Sequence, residues 1–275
     1  MAATQTVRCK RGGQLLIALI IAVAAPAVAQ VQHDGFSQLL ADHVQPSVGG
    51  HSSRVNYRAL KEDSARLDRY LTVLSAVSPA QYAAFDRREK MAFLINAYNA
   101  FTLRLVLDHY PGITSIKDIG GWFSSPWKLR FIPLLGDKLS LDDIEHQRLR
   151  EPGVFDDPRI HFAVNCASVG CPSLREEAYT AEALDRQLDD QAQRFMSDRS
   201  RNRYNPQRQR LEVSKIFDWY EDDFTRGYRG HHSLKGFLAG FSQQLADEPS
   251  ARNAIREKQL SVSFTDYDWR LNDSQ

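Results

Sequence analysis

Residues 86–109 read DRREKMAFLINAYNAFTLRLVLDH, and this stretch decides the fold. Glu89 and Lys90 stand near the start of the run, and Tyr110-Pro111-Gly112 closes it. A helix is therefore expected from about Asp86 to His109. From Met91 to Leu107 it is apolar on nearly every side, which predicts a central buried helix rather than a surface helix with one apolar stripe. Two polar residues interrupt it, Asn96 and Asn99. At i and i+3 they share a face, and a buried amide without partners costs about 1–3 kcal/mol. Either the pair tethers a neighbouring loop or it lines a site.

The flanking sequence supplies the rest of the architecture. From Phe36 to Val77 the pattern is helical, interrupted by a Gly/Ser/His loop over residues 48–53, with a short strand at Val55 to Tyr57. Ser78-Pro79 opens another helix, Ser78 as N-cap and Pro79 in the first turn. After the long helix, a loop rich in glycine and aromatics holds Trp122 and Trp127, which could cover a pocket or plug the core. Lys128 to Leu135 reads as a strand and Gly136-Asp137 as a turn. Ser140 then caps a helix carrying Asp142 and Asp143 in its first turn. Arg159 to Asn165 reads as a second strand, Ala181 to Met196 as an amphipathic helix, and Arg203 to Val213 as a hairpin turning at Asn205-Pro206. A helix over Ser233 to Leu245 and a strand near Leu260 to Phe264 finish the chain. The expectation is an α+β fold, helices around a small, mostly antiparallel sheet with one central buried helix.

The chain has 275 residues, 43% hydrophobic and 25% charged, values that exclude a disordered or collagen-like protein. Residues 1–29 read as a signal peptide: Arg8, Lys10 and Arg11, an apolar run from Leu15 to Ala25, then Pro26 and the small-residue pattern Ala27-Val28-Ala29. The run is shorter than the roughly 20 residues a membrane span needs. The expected mature chain, 30–275, is a single globular domain without a transmembrane segment, periplasmic or secreted. Loss of three basic residues turns the formal charge from +1 to −2, which gives no pull toward nucleic acid. Cys9 leaves with the signal, so Cys166 and Cys171 are the cysteines of the exported protein.

Chemistry concentrates around those two. His161, Asn165, Cys166 and Cys171 include the residue types of a thiol nucleophile, its base and the base's orienter. On an extended strand, however, His161 and Cys166 would stand about 16 Å apart. A base for Cys166 would then come from elsewhere, with His146 or His109 as candidates, or Cys171 would fold back beside His161. The small residues of Ala167-Ser168-Val169-Gly170 allow a tight return that brings the cysteines within disulfide reach. Three readings stay open: a structural disulfide, a reactive thiol, or a metal site whose spacing matches no common zinc pattern. Glu145-His146 could be an acid/base pair or a solvated helix face. Arg199, Arg201, Arg203, Arg208 and Arg210 make a basic hairpin expected to pair with Asp218, Glu221, Asp222 and Asp223.

Several segments carry a family resemblance. Residues 93–100 (FLINAYNA), 139–146 (LSLDDIEH) and 157–168 (DPRIHFAVNCAS), with Cys171-Pro172, Ser214 to Tyr220 and Tyr267 to Asn272, resemble the family known as domain of unknown function 547 over about 56–272. The resemblance brings no assigned activity. A helix on a small sheet with Cys and His nearby is also similar to papain and transglutaminase-like architecture. There the nucleophilic cysteine starts the central helix, and here that helix has none.

The candidate site therefore joins Asn96, Asn99, Glu145, His146, His161, Cys166 and Cys171. As an enzyme it would be a thiol-dependent hydrolase or acyl-transferase of the cell envelope, with Cys166 or Cys171 as nucleophile, His161 or His146 as base, and the Asn96 and Asn99 amides polarising a carbonyl. As a binding module it would hold a small molecule, peptide or glycan in a groove stapled by Cys166–Cys171. No cofactor or metal is expected.

Overall fold

A computed structural model describes residues 31–121 and 124–275. The expected signal peptide and Trp122 lie outside the described residues.

The long helix runs Arg87–His109. The Asp86 side chain accepts hydrogen bonds from the backbone of Arg88 and Glu89 at 2.7 and 2.8 Å, and the Glu89 carboxylate accepts from Asp86 N at 2.7 Å. This reciprocal cap satisfies donors that a helix start leaves orphaned. Every residue from Met91 to Leu103 is buried. No helix among the described residues is long and apolar enough to cross a membrane; here the helix is enclosed by protein.

Helix Ser64–Ser75 packs on it and helix Asp34–His43 on Ser64–Ser75, and beside these two helices lie two antiparallel hairpins, Val44–Pro46 with Ser53–Val55 and Ile132–Leu134 with Asp137–Leu139. Their side chains and those of the long helix form one buried cluster. A second cluster sits toward the C-terminus beneath helix Leu184–Ser197 and a three-stranded sheet. In that sheet Arg203–Asn205 pairs antiparallel with Arg210–Val213, which pairs in parallel with Ser261–Phe264. Phenylalanines dominate the second cluster: Phe217 and Phe224 have centroids 4.8 Å apart, and Phe224 and Phe237 4.9 Å. The α+β class holds, with the strands divided among three small sheets.

Four local expectations are corrected. Arg159 to Asn165 is not a strand: Ile160–Ala163 forms a helical turn. Asp157 starts it, its carboxylate accepting from Arg159 N at 3.0 Å, and the Asp157, Pro158 and Arg159 carbonyls accept from residues 160–162. Ile160 through Asn165 are all buried, so neither a period of 2 nor one of 3.6 shows in the sequence. Strand Lys128 to Leu135 shrinks to Ile132–Leu134 because Pro126 opens a tight turn through Lys128. The helix over Ser233 to Leu245 splits into Leu234–Ala239 and Ser242–Leu245 beside Gly240. Finally, Arg203, Arg208 and Arg210 pair with Glu212 inside their own hairpin, not with the acidic run that follows.

Candidate functional site

The C-terminal segment builds the frame. Val169 N donates to Arg270 O and Gly170 N to Asp268 O, both at 2.8 Å, while Asn272 N donates to Ala167 O at 3.1 Å. These bonds lay residues 267–272 against the cysteine loop and bring Tyr267 and Trp269 to it. A Cβ on Gly170 would stand 2.8 Å from the Tyr267 ring, so only glycine permits this approach. Ala167 takes a left-handed φ of 60°. Asn165 locks the turn, accepting from Ala167 N at 2.9 Å and donating to Pro172 O at 2.8 Å.

The return brings the Cys166 and Cys171 Cα atoms to 6.1 Å and their sulfurs to disulfide distance. Cys166 is partly exposed and Cys171 is buried. Burial raises the Tyr267 phenol to about 12. It thus keeps its proton at neutral pH and donates toward both sulfurs, at 3.2 Å to Cys166 and 3.3 Å to Cys171. The Ser168 hydroxyl lies 3.2 Å from the Cys166 sulfur.

His161 comes from the corrected helical turn. Its Nε2 donates to the Asp223 carboxylate at 2.7 Å, and its ring stacks on Tyr220 with centroids 4.0 Å apart. Arg150 Nε donates to the same Asp223 oxygen at 2.6 Å, and Arg226 pairs with the other at 3.0 Å. Burial alone would raise the Asp223 carboxyl, but the bonds from His161 and Arg150 hold it well below the usual carboxylate range. Burial lowers the pKa of His161, outweighing the carboxylates of Asp223 and Glu145. The imidazole is therefore neutral at pH 7. With Nε2 carrying the proton, the lone pair sits on Nδ1, which makes His161 a base oriented by a carboxylate.

Glu145 begins a π-helical turn, Glu145–Leu149, directly after helix Leu141–Ile144. Such turns re-aim side chains within a helix. The Tyr98 and Tyr220 hydroxyls donate to Glu145, and both phenols, raised first by burial, stay protonated. Arg150 donates to His146 Nδ1, leaving the His146 proton on Nε2, 3.7 Å from Asp142. Burial pushes the Asp142 carboxyl up, opposed by His146 and aided by Glu145.

These groups surround one cleft of about 260 Å³ at the seam of the two buried clusters. Of the expected site residues, Glu145, His146, His161, Cys166 and Cys171 line it; Asn96 and Asn99 do not. Asn96 donates to Tyr179 O at 2.8 Å and accepts from Tyr179 N at 2.9 Å. Asn99 donates to Ala163 O at 2.9 Å and accepts from Asn165 N at 2.8 Å. Both are tethers, and Asn99 holds the segment that carries His161 and Cys166. Among the described residues, no cluster of three or more His, Cys, Asp or Glu is placed to hold a metal ion.

Sequence reasoning missed Asp223, Tyr98, Tyr220 and Tyr267 and assigned no site role to Trp219 or Trp269. Tyr98 lies in residues 93–100, and Tyr220, Trp219, Tyr267 and Trp269 in Ser214 to Tyr220 and Tyr267 to Asn272, all segments of the family resemblance; Asp223 lies in none of them.

Comparison with protein families matches residues 82–196 to the one described as "Protein of unknown function, DUF547". The chain resembles that family over this stretch, which contains the long helix, the Glu145 turn and the His161-to-Cys171 segment but neither Asp223 nor Tyr267. No curated protein and no solved structure matches the chain.

Proposed function

We propose that the cleft is the active site of a thiol-dependent hydrolase or acyl-transferase of the cell envelope, working when Cys166–Cys171 is reduced. One observation carries this reading: a neutral histidine, oriented by a buried carboxylate, lines the same cleft as a partly exposed cysteine. A thiol donor supplies two electrons and two protons to open the disulfide and is itself oxidised to a disulfide. His161 Nδ1 then takes the Cys166 proton, and the thiolate adds to an acyl carbonyl. Collapse breaks the bond to the leaving group, which receives the proton from His161. Water or a second nucleophile finally cleaves the thioester. The envelope location rests on the export signal expected in residues 1–29.

The test is acylation of the reduced chain by an activated acyl ester, followed by intact mass. The expected result is an adduct on Cys166, absent in Cys166→Ser and formed at least 100-fold more slowly in His161→Gln, the lower range for loss of a general base. Acylation that ignores both substitutions would overturn the assignment. A second reading, a non-catalytic module that binds a small molecule, peptide or glycan, is favoured by the sulfurs lying at disulfide distance. It expects no adduct under any reducing condition.

A further inference from the structure

The walls of the cleft are unusual in composition. Among the described residues, six Tyr and Trp rings face it, those of Tyr98, Trp127, Trp219, Tyr220, Tyr267 and Trp269, together with the carboxylates of Asp142 and Glu145. Among the described residues, no lysine or arginine lines it. Three of the rings form a continuous surface. Trp219 and Trp269 have centroids 5.6 Å apart, Tyr267 and Trp269 4.5 Å, and Trp219 and Tyr267 4.9 Å. Trp127 meets Trp269 edge-on at 5.7 Å. Trp219 is 42% exposed, a large apolar surface left open to solvent at a cleft.

Ring faces carry negative potential, and Asp142 and Glu145 add formal negative charge to the same space. The rings already attract cations of the chain: the Lys117 ammonium stands 4.6 Å from the Trp269 centroid and the Arg150 guanidinium 4.5 Å from that of Tyr220. Arg150 is also committed to Asp223. A carboxylate or phosphate ligand would enter this space against two like charges. A neutral saccharide could stack on the rings but would gain nothing from the formal charge.

We infer that the cleft binds an organic cation, a quaternary or primary ammonium group held against Trp219 and Trp269 and balanced by Glu145 and Asp142. This deepens the proposed function by naming the chemical class the site takes, but it does not require the thiol to react. It can therefore be tested on the oxidised protein, where no acylation occurs, so that failure of one reading leaves the other standing.

The experiment titrates the full chain, with Cys166–Cys171 closed, against choline while tryptophan fluorescence is followed. Its neutral isostere 3,3-dimethyl-1-butanol and methyl β-glucoside are run in parallel. Choline is expected to give a saturable change and to bind at least fivefold more tightly than the isostere, as a partly desolvated cation–π site requires. Trp219→Ala, at an exposed position that leaves the buried clusters intact, is expected to weaken choline binding at least threefold, and Glu145→Gln to narrow the preference over the isostere. Equal binding of the isostere would overturn the inference in favour of plain apolar contact. Binding of the glucoside with none of choline would overturn it in favour of a saccharide, and no saturable change with any probe would overturn it outright.

Discussion

At His161 two opposing effects set the charge. Burial disfavours the imidazolium, the Asp223 carboxylate favours it, and burial prevails. Stability follows with a definite sign. Below about pH 6.5 the unfolded chain takes up a proton on this histidine that the folded chain refuses, so stability falls as pH drops. His33, lowered by burial to about 4, contributes in the same direction. Asp223 is held low in the fold; its contribution is present in full above the ordinary carboxylate pKa and is lost only as pH falls through its own depressed value. Urea titrations between pH 7 and 4.5 should show the loss due to the two histidines, and His161→Gln should flatten the slope, leaving the part due to His33. Asp223→Asn leaves Arg150 and Arg226 without their shared carboxylate and is expected to cost about 3 kcal/mol or more. A loss under 1 kcal/mol would show that the cluster is not coupled. Gly170→Ala drives a methyl into the Tyr267 ring and should cost about 1–3 kcal/mol; an unchanged midpoint would mean that the ring moves freely.

Among the elements, the long helix was legible because its signals are local: its apolar run is too continuous for a surface helix, and Tyr110-Pro111-Gly112 ends it. Ser140, Ser78 and the 203–213 hairpin were legible for the same reason. The turn Ile160–Ala163 was not, because a single fully buried turn shows no period and its Ile160 and Phe162, β-branched and aromatic, imitate a strand. That one misreading set His161 apart from Cys166, whereas the two line one cleft. Asp223 was hidden by distance along the chain. Its histidine partner lies 62 residues away, while Arg203, Arg208 and Arg210 of the hairpin expected to pair with it are taken by Glu212. Asn99 is the element-scale lever, since its amide ties the long helix to both ends of the segment between His161 and Cys166. Asn99→Leu should cost about 1–3 kcal/mol through the two backbone groups it orphans. It should also slow Cys166 acylation, whereas Asn96→Leu, which orphans the distant Tyr179 backbone, should destabilise comparably and leave acylation of the folded fraction unchanged. Equal effects on acylation would show that Asn99 does not position the site.

On the scale of the whole molecule, the cleft lies where two buried clusters meet, and each contributes a different part. The first, around the long helix, brings Tyr98 and the Glu145 turn. The second brings His161's neighbours Tyr220 and Phe224, and the chain's end closes the seam with Tyr267 and Trp269. Ligand sites gather at such seams because neither core fills the gap. Assembly of the site thus depends on long-range pairing, which explains why its rim was illegible where its helix was plain. The most direct test of this arrangement is the rate of Cys166 alkylation by iodoacetamide in the reduced protein, read by peptide mass. The expected result is faster labelling of Cys166 than of Cys171 near neutral pH, with the Cys166 rate lowered in His161→Gln because the neutral imidazole that takes the thiol proton is gone. Labelling of Cys166 no faster than that of Cys171, or unchanged by that substitution in a folded variant, would contradict a cysteine activated by His161.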